Sequence, residues 1–296
     1  MKRLVAFLAL LAACGGALYY SHRNKKEARV GPEAVLNTLA ETERDVSRVP
    51  AQLTRLSDAE EIRIGDELAA RYTPRTESTL PNDAALANYV STVGRNVSGG
   101  ARRKLPYKFH YVPNPSLVNA FALPGGHVFI GEGLIRLMKS EDELASVLGH
   151  EVEHVDNYHC AERVQIEARL RHIPLGGLLA LPIELFQAGY SKDQELEADR
   201  DGAHLAVMVG YSPQGAIHLF QEFGKLHRAY VLEAETPDQE LSQVAIEGIV
   251  GYFRSHPLPE ERERQIKEIA SRQKWPEPAE RPLRVTPEPL QATAGK

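Results

Sequence analysis

His150, Glu151 and His154, inside the stretch "GHEVEHVDNYHC" from Gly149 to Cys160, constrain this chain more than any other feature. Histidines four residues apart stack on one face of a helix, and the glutamate beside the first leaves from the same turn. The helix itself is announced twice. Ser140 followed by Glu143 is a capping box, and Leu144, Val147, Leu148, Val152 and Val155 gather on one side at helical spacing. Both imidazoles can therefore reach one ion, and zinc suits them because it accepts nitrogen and oxygen ligands in a tetrahedral arrangement. Taken alone, the same residues also fit a solvated helical face.

A third ligand on a second helix separates the two readings. The stretch "YSKDQELEADRDGA", Tyr190 to Ala203, offers one. Glu195 and Asp199 are four apart and share a face, and Ala198 between them is small enough for close helix packing. Glu195 can complete the metal site. Asp199 can accept a hydrogen bond from the far nitrogen of a liganding histidine, which fixes its tautomer and raises its basicity.

With 296 residues, 43% of them hydrophobic, the chain can bury one substantial core. Its net charge is -5 and no dense run of Lys and Arg occurs, so nucleic acid is not expected as a partner. The N-terminus departs from the average. Lys2 and Arg3 precede an apolar run from Leu4 to Ala13, the layout of an export signal. The run ends Leu11-Ala12-Ala13-Cys14, which resembles a bacterial lipobox and implies a signal peptide over residues 1–13 with lipidation of Cys14. The alternative is an uncleaved membrane anchor over residues 4–20. Either places the protein across a membrane. Cys14 and Cys160 are the sole cysteines, so a disulfide scaffold is excluded.

Along the chain, residues 14–50 read as a tether with one short helix, at Pro32 to Val49. Ser57 and Glu60 form another capping box, predicting a helix to about Tyr72, and Pro74 and Pro81 break it. A further helix is expected from about Asp83 to Val97. Phe109 to Val112 and His127 to Ile130 read as strands, the latter as an edge strand after a Pro124-Gly125-Gly126 turn. Ser140 to Arg272 is otherwise helical, with a hydrophobic loop or short helix within residues 173–190. The fold class is α+β, mainly α-helical, with a small sheet beside the His-Glu helix and one domain over residues 51–274. Residues 275–296 are proline-rich and read as a disordered tail. His127, His159, His172, His204 and His218 are expected at structural or surface positions.

"HEVEH" followed by "ELEAD" resembles the zinc metallopeptidase (gluzincin) family of the CAAX prenyl proteases and the heat-shock protease HtpX. "NAFALPGG" at Asn119 to Gly126, "GYS" at Gly189 to Ser191 and "SHP" at Ser255 to Pro257 match as well. The chain looks like the soluble, exported bacterial branch. Glu153 and Lys192 depart from the usual pattern without touching the ligand set. The resemblance implies a zincin-like fold, one zinc ion on His150, His154 and Glu195, and Glu151 as general base. It puts His256 near the metal, either donating to the oxyanion or capping the ion as a fourth ligand. It implies protein substrates in the cell envelope, unfolded or misassembled, lying along the His127, Val128, Phe129, Ile130 strand. The periplasmic side of the outer membrane is the favoured location. The other class of reading is a chaperone or assembly factor with a latched metal. A purely structural zinc is a third, and needs four protein ligands.

Overall fold

The computed structural model describes residues 56–78, 80–170, 181–228 and 258–288. These run α1 (Asp58–Tyr72), α2 (Pro81–Ser98), β1 (Lys108–Val112), β2 (Ala120–Leu123), β3 (His127–Gly131), α3 (Glu132–Leu137), α4 (Glu141–Asp156), α5 (His159–Leu170), α6 (Glu184–Gln187), α7 (Lys192–Met208), α8 (Gln214–His227) and α9 (Pro259–Gln273). The class is α+β, with helices dominating one small sheet. Cys14, His172, His256, the signal or anchor segment and the helix expected at Pro32 to Val49 lie outside the described residues. None of the described helices is long and apolar enough to cross a membrane.

Local chemistry sets the helix starts. The Ser57 and Ser140 hydroxyls accept from the Glu60 and Glu143 amides at 3.3 and 3.2 Å, as their capping boxes require. A box not anticipated, Ser191 with Gln194, starts α7. Pro81 opens α2 rather than interrupting the chain before it, because a proline has no amide to lose in the first helical turn.

The sheet has the order β1-β3-β2, with β1 parallel and β2 antiparallel to β3. The strand His127–Gly131 is therefore central, not an edge, and all five of its residues are buried. β2 carries no strand signal in the sequence because Ala120 to Leu123 are buried on both faces, which removes the polar alternation that marks a strand. Successive side chains of β2 and β3 alternate between two apolar clusters. Ala120, Ala122, Val128 and Ile130 join Val90, Leu148, Val152 and Phe220 on the side of α4. Phe121, Leu123 and Phe129 join Ile64, Leu68, Tyr72 and Phe186 on the other. Gly125, with φ 74°, turns β2 into β3, and a Cβ there would sit 2.5 Å from the Ile62 Cα.

Residues 275–288 are not a disordered tail but a strap across the start of α4. The Arg281 amide donates to Asp142 at 2.6 Å, its carbonyl accepts from the Glu141 amide at 2.8 Å, and Arg284 pairs with Glu141 at 3.1 Å. Proline-rich composition removes periodicity without removing partners. Here the acidic first turn of α4 supplies them, where a helix N-terminus would otherwise hold three carboxylates together.

Arg103 ties α1 to the far end of α4. It reaches Glu61 at 2.5 Å, Asp58 at 2.7 Å and the Val155 carbonyl at 2.7 Å, and Glu61 is fully buried. Arg103→Ala leaves that carboxylate without its cation, so we expect urea denaturation to show a loss of about 3 kcal/mol. A loss under about 1 kcal/mol would mean that the Arg103–Glu61 pair contributes little to stability.

Candidate metal centre

α4 and α7 cross with their backbones in contact. Gly149 and Gly202 meet at the crossing, where a Cβ on Gly202 would lie 2.5 Å from the His150 nitrogen. That approach sets Glu195 and Asp199 alongside His150 and His154. The two Nε2 atoms are 3.0 Å apart, and Glu195 stands 3.5 Å from the first and 3.7 Å from the second. One donor atom from each of the three residues falls within 4.8 Å of the others, and all three residues are buried. Two ligands on one tetrahedral ion at zinc distances are about 3.3 Å apart, so the donor set fits a single divalent metal.

The groups behind the donors hold them in place. His150 Nδ1 is 2.9 Å from Asp199, leaving Nε2 aimed into the site. Asp199 also accepts from Arg262 at 2.6 and 2.7 Å, and Arg262 is itself buried with its guanidinium 4.5 Å over the Phe220 ring. Burial opposes charge on Asp199, but Arg262 and His150 overcome it and hold the carboxyl below its usual range. Burial likewise opposes charge on His150, and the Asp199 and Glu195 carboxylates prevail, pushing it up to about 10. A metal entering this site therefore displaces a proton. Glu195 is positioned by the Tyr190 amide at 2.9 Å, and the Tyr190 ring stacks on His154 at 4.1 Å.

Glu151 leaves α4 between the two histidines and is 4% exposed. Burial pushes its carboxyl up to about 7, partly offset by His150 and by an amide hydrogen bond from Ala122. Burial of this kind disfavours the charged carboxylate, so Glu151 takes up a proton more readily than an exposed carboxylate would. A small recess of about 30 Å³ adjoins Glu151, walled by Ala120, Leu134, Val147, Leu219 and Phe220.

The structure thus brings together His150, Glu151, His154, Glu195 and Asp199. It leaves the His127–Ile130 strand paired on both sides, with His127 held by His110 at 3.0 Å and Asp66 at 2.8 Å. Of the two positions expected for His159, surface or core, the structure has the core one: it is buried and stands 3.0 Å from His154. Arg262 and Tyr190 were not anticipated. Arg262 lies in the charged stretch "PEERERQ", yet it shares a face with Ile266 and Ile269, and that spacing was the available signal.

Comparison with known proteins agrees with this geometry. The model of peptidase family M48 matches residues 84–270. The chain is 29% identical over 240 residues to the beta-barrel assembly-enhancing protease of Yersinia pestis, covering 74% of this chain and 46% of that one. It is 30% identical over 228 residues to the beta-barrel assembly-enhancing protease of Escherichia coli (strain K12), covering 70% and 43%. It is 27% identical over 193 residues to the metalloprotease LoiP of the same organism, covering 59% and 73%. The chain spans less than half the length of the two beta-barrel assembly-enhancing proteases. A family match over most of the described domain, coinciding with a buried two-histidine, one-glutamate donor set, leads to one conclusion: the chain belongs to peptidase family M48.

Proposed function

We propose that this protein is a zinc-dependent endopeptidase acting on unfolded or misassembled proteins of the bacterial cell envelope. The observation that carries the reading is the convergence of His150, His154 and Glu195 on one point with Glu151 from the same helix beside it. Zinc held by those three residues supplies a Lewis acid that brings the pKa of water toward neutrality and polarises a peptide carbonyl. Glu151 accepts the proton of the attacking water and returns it to the leaving amine. Asp199, backed by Arg262, keeps the His150 proton on Nδ1 and its lone pair toward the metal.

An extended substrate runs along β2, the outer strand of the described sheet on the side of Glu151. In the β2–β3 register Ala120 and Ala122 form the pairs whose main-chain groups turn away from β3; those of Ala122 meet Glu151 and Cys160, which leaves Ala120 as the residue open to pair with substrate. Main-chain pairing of this kind reads backbone rather than sequence, which suits unfolded chains. The envelope location rests on the export pattern before Cys14, lipidated or retained as an anchor, and on relatives named for beta-barrel assembly.

The test is chelation. Removing metal from the purified chain should abolish casein cleavage, and stoichiometric zinc should restore it. Helical circular dichroism should persist throughout, because two apolar clusters and the Asp199–Arg262 pair remain. Loss of helicity on chelation would make the metal structural.

A further inference from the structure

His150 is backed by a carboxylate, whereas His154 is backed by another imidazole. The His154 ring has Nε2 toward the donor set, 3.0 Å from His150 Nε2, and Nδ1 on its far side, 3.0 Å from His159 Nδ1. His159 Nε2 in turn lies 3.3 Å from Glu197. We propose that His159 and Glu197 are positioning residues for His154, a hydrogen-bonded arm that fixes its tautomer and strengthens it as a metal ligand. This rests on the reading of His154 as a ligand.

One set of tautomers satisfies the whole arm. If the Nε2 lone pair of His154 faces a metal, its proton sits on Nδ1 and is donated. His159 Nδ1 must then accept, so its proton sits on Nε2 and points at Glu197. His159 is 3% exposed, so water is a poor substitute for these partners. Glu197 is the outer end. Its side chain is half-exposed, and with His159 it lines a polar cavity of about 540 Å³ edged by Arg102, Asp156 and Asp193. The arm therefore runs from a buried ligand to a hydrated carboxylate.

The backbone is bent to make this contact. On a continuous helix, residues five apart point about 140° away from each other. Here α4 ends at Asp156, Tyr158 takes the left-handed conformation with φ 64°, and α5 begins at His159. A non-glycine residue held there carries strain, which persists only where surrounding contacts impose it. Arg103, 3.9 Å over the Tyr158 ring, is one such contact. The reversal swings His159 back over the ring of His154.

The experiment measures zinc affinity of the full chain by chelator competition, with the visible spectrum of the cobalt-substituted protein as a second readout. His159→Phe should bind zinc about 10–100-fold more weakly and shift the cobalt bands, and His159→Asn, whose amide oxygen can accept from His154, should recover part of the loss. Glu197→Ala, a change at a half-exposed side chain that does not threaten folding, should lower affinity severalfold. Wild-type zinc binding with His159→Phe and Glu197→Ala both unchanged overturns the proposal and leaves the peptidase reading intact. Should His159→Phe fail to fold, Glu197→Ala decides by the same criterion. A wild type that takes up no zinc overturns both readings.

Discussion

Glu151→Gln should purify with its full metal complement and hydrolyse casein about 10²–10⁴-fold more slowly, with KM little changed. The substitution leaves the three donor residues untouched. It also preserves the local fit, because the glutamine amide oxygen can still accept from the Ala122 amide that bonds the native carboxylate. What it removes is the proton acceptor. Glu151 is a buried carboxylate that can take a proton from water and release it. An amide does neither. Fragment release and metal analysis on the same preparation check the two halves together. A fully active variant would move the base elsewhere and leave Glu151 as a structural carboxylate.

The second large effect is expected at Gly202. Placing valine there should destabilise the domain by on the order of 4 kcal/mol and abolish metal binding. A Cβ at this position would lie 2.5 Å from the His150 nitrogen and 2.6 Å from the Gly149 carbonyl carbon, and both are backbone atoms that cannot rotate aside. α4 and α7 must then separate. Glu195 and Asp199 ride on α7, so the separation pulls them from His150 and His154. Thermal denaturation and metal content of Gly202→Val are the measurements. A stable, metal-replete variant would show that the close crossing is not what assembles the site. Gly149, opposite, offers the reciprocal change, since its Cβ would meet the Gly202 carbonyl oxygen at 2.5 Å.

These two positions also show what the sequence discloses and what it hides. The site residues were legible because helical geometry makes them so. His150 and His154, like Glu195 and Asp199, are four apart, and the capping boxes at Ser140 and Ser57 mark helix starts through local hydrogen bonds alone. Gly202 was not legible as a contact, since nothing in one helix says which glycine meets another. β2 escaped because its four residues are all buried, and with it went the sheet order that makes β3 central. The strap over residues 275–288 escaped because its partners, Glu141 and Asp142, lie far away in sequence. His159 was visible as a histidine but not as a neighbour of His154, because the backbone reversal at Tyr158 follows no periodic pattern. Local and helical information survives in sequence, and paired motifs link α4 to α7; contacts that carry no motif, such as the glycine crossing and the strap, have to be seen.

Three donors from two helices sharing one metal ion carry the proposed chemistry. Elemental analysis of purified full-length protein, beside Glu195→Ala, tests this most directly. The expected result is one zinc per wild-type chain, with the variant folded but holding far less zinc at equal free metal. Wild-type protein without a stoichiometric transition metal, or Glu195→Ala with undiminished affinity, would contradict it.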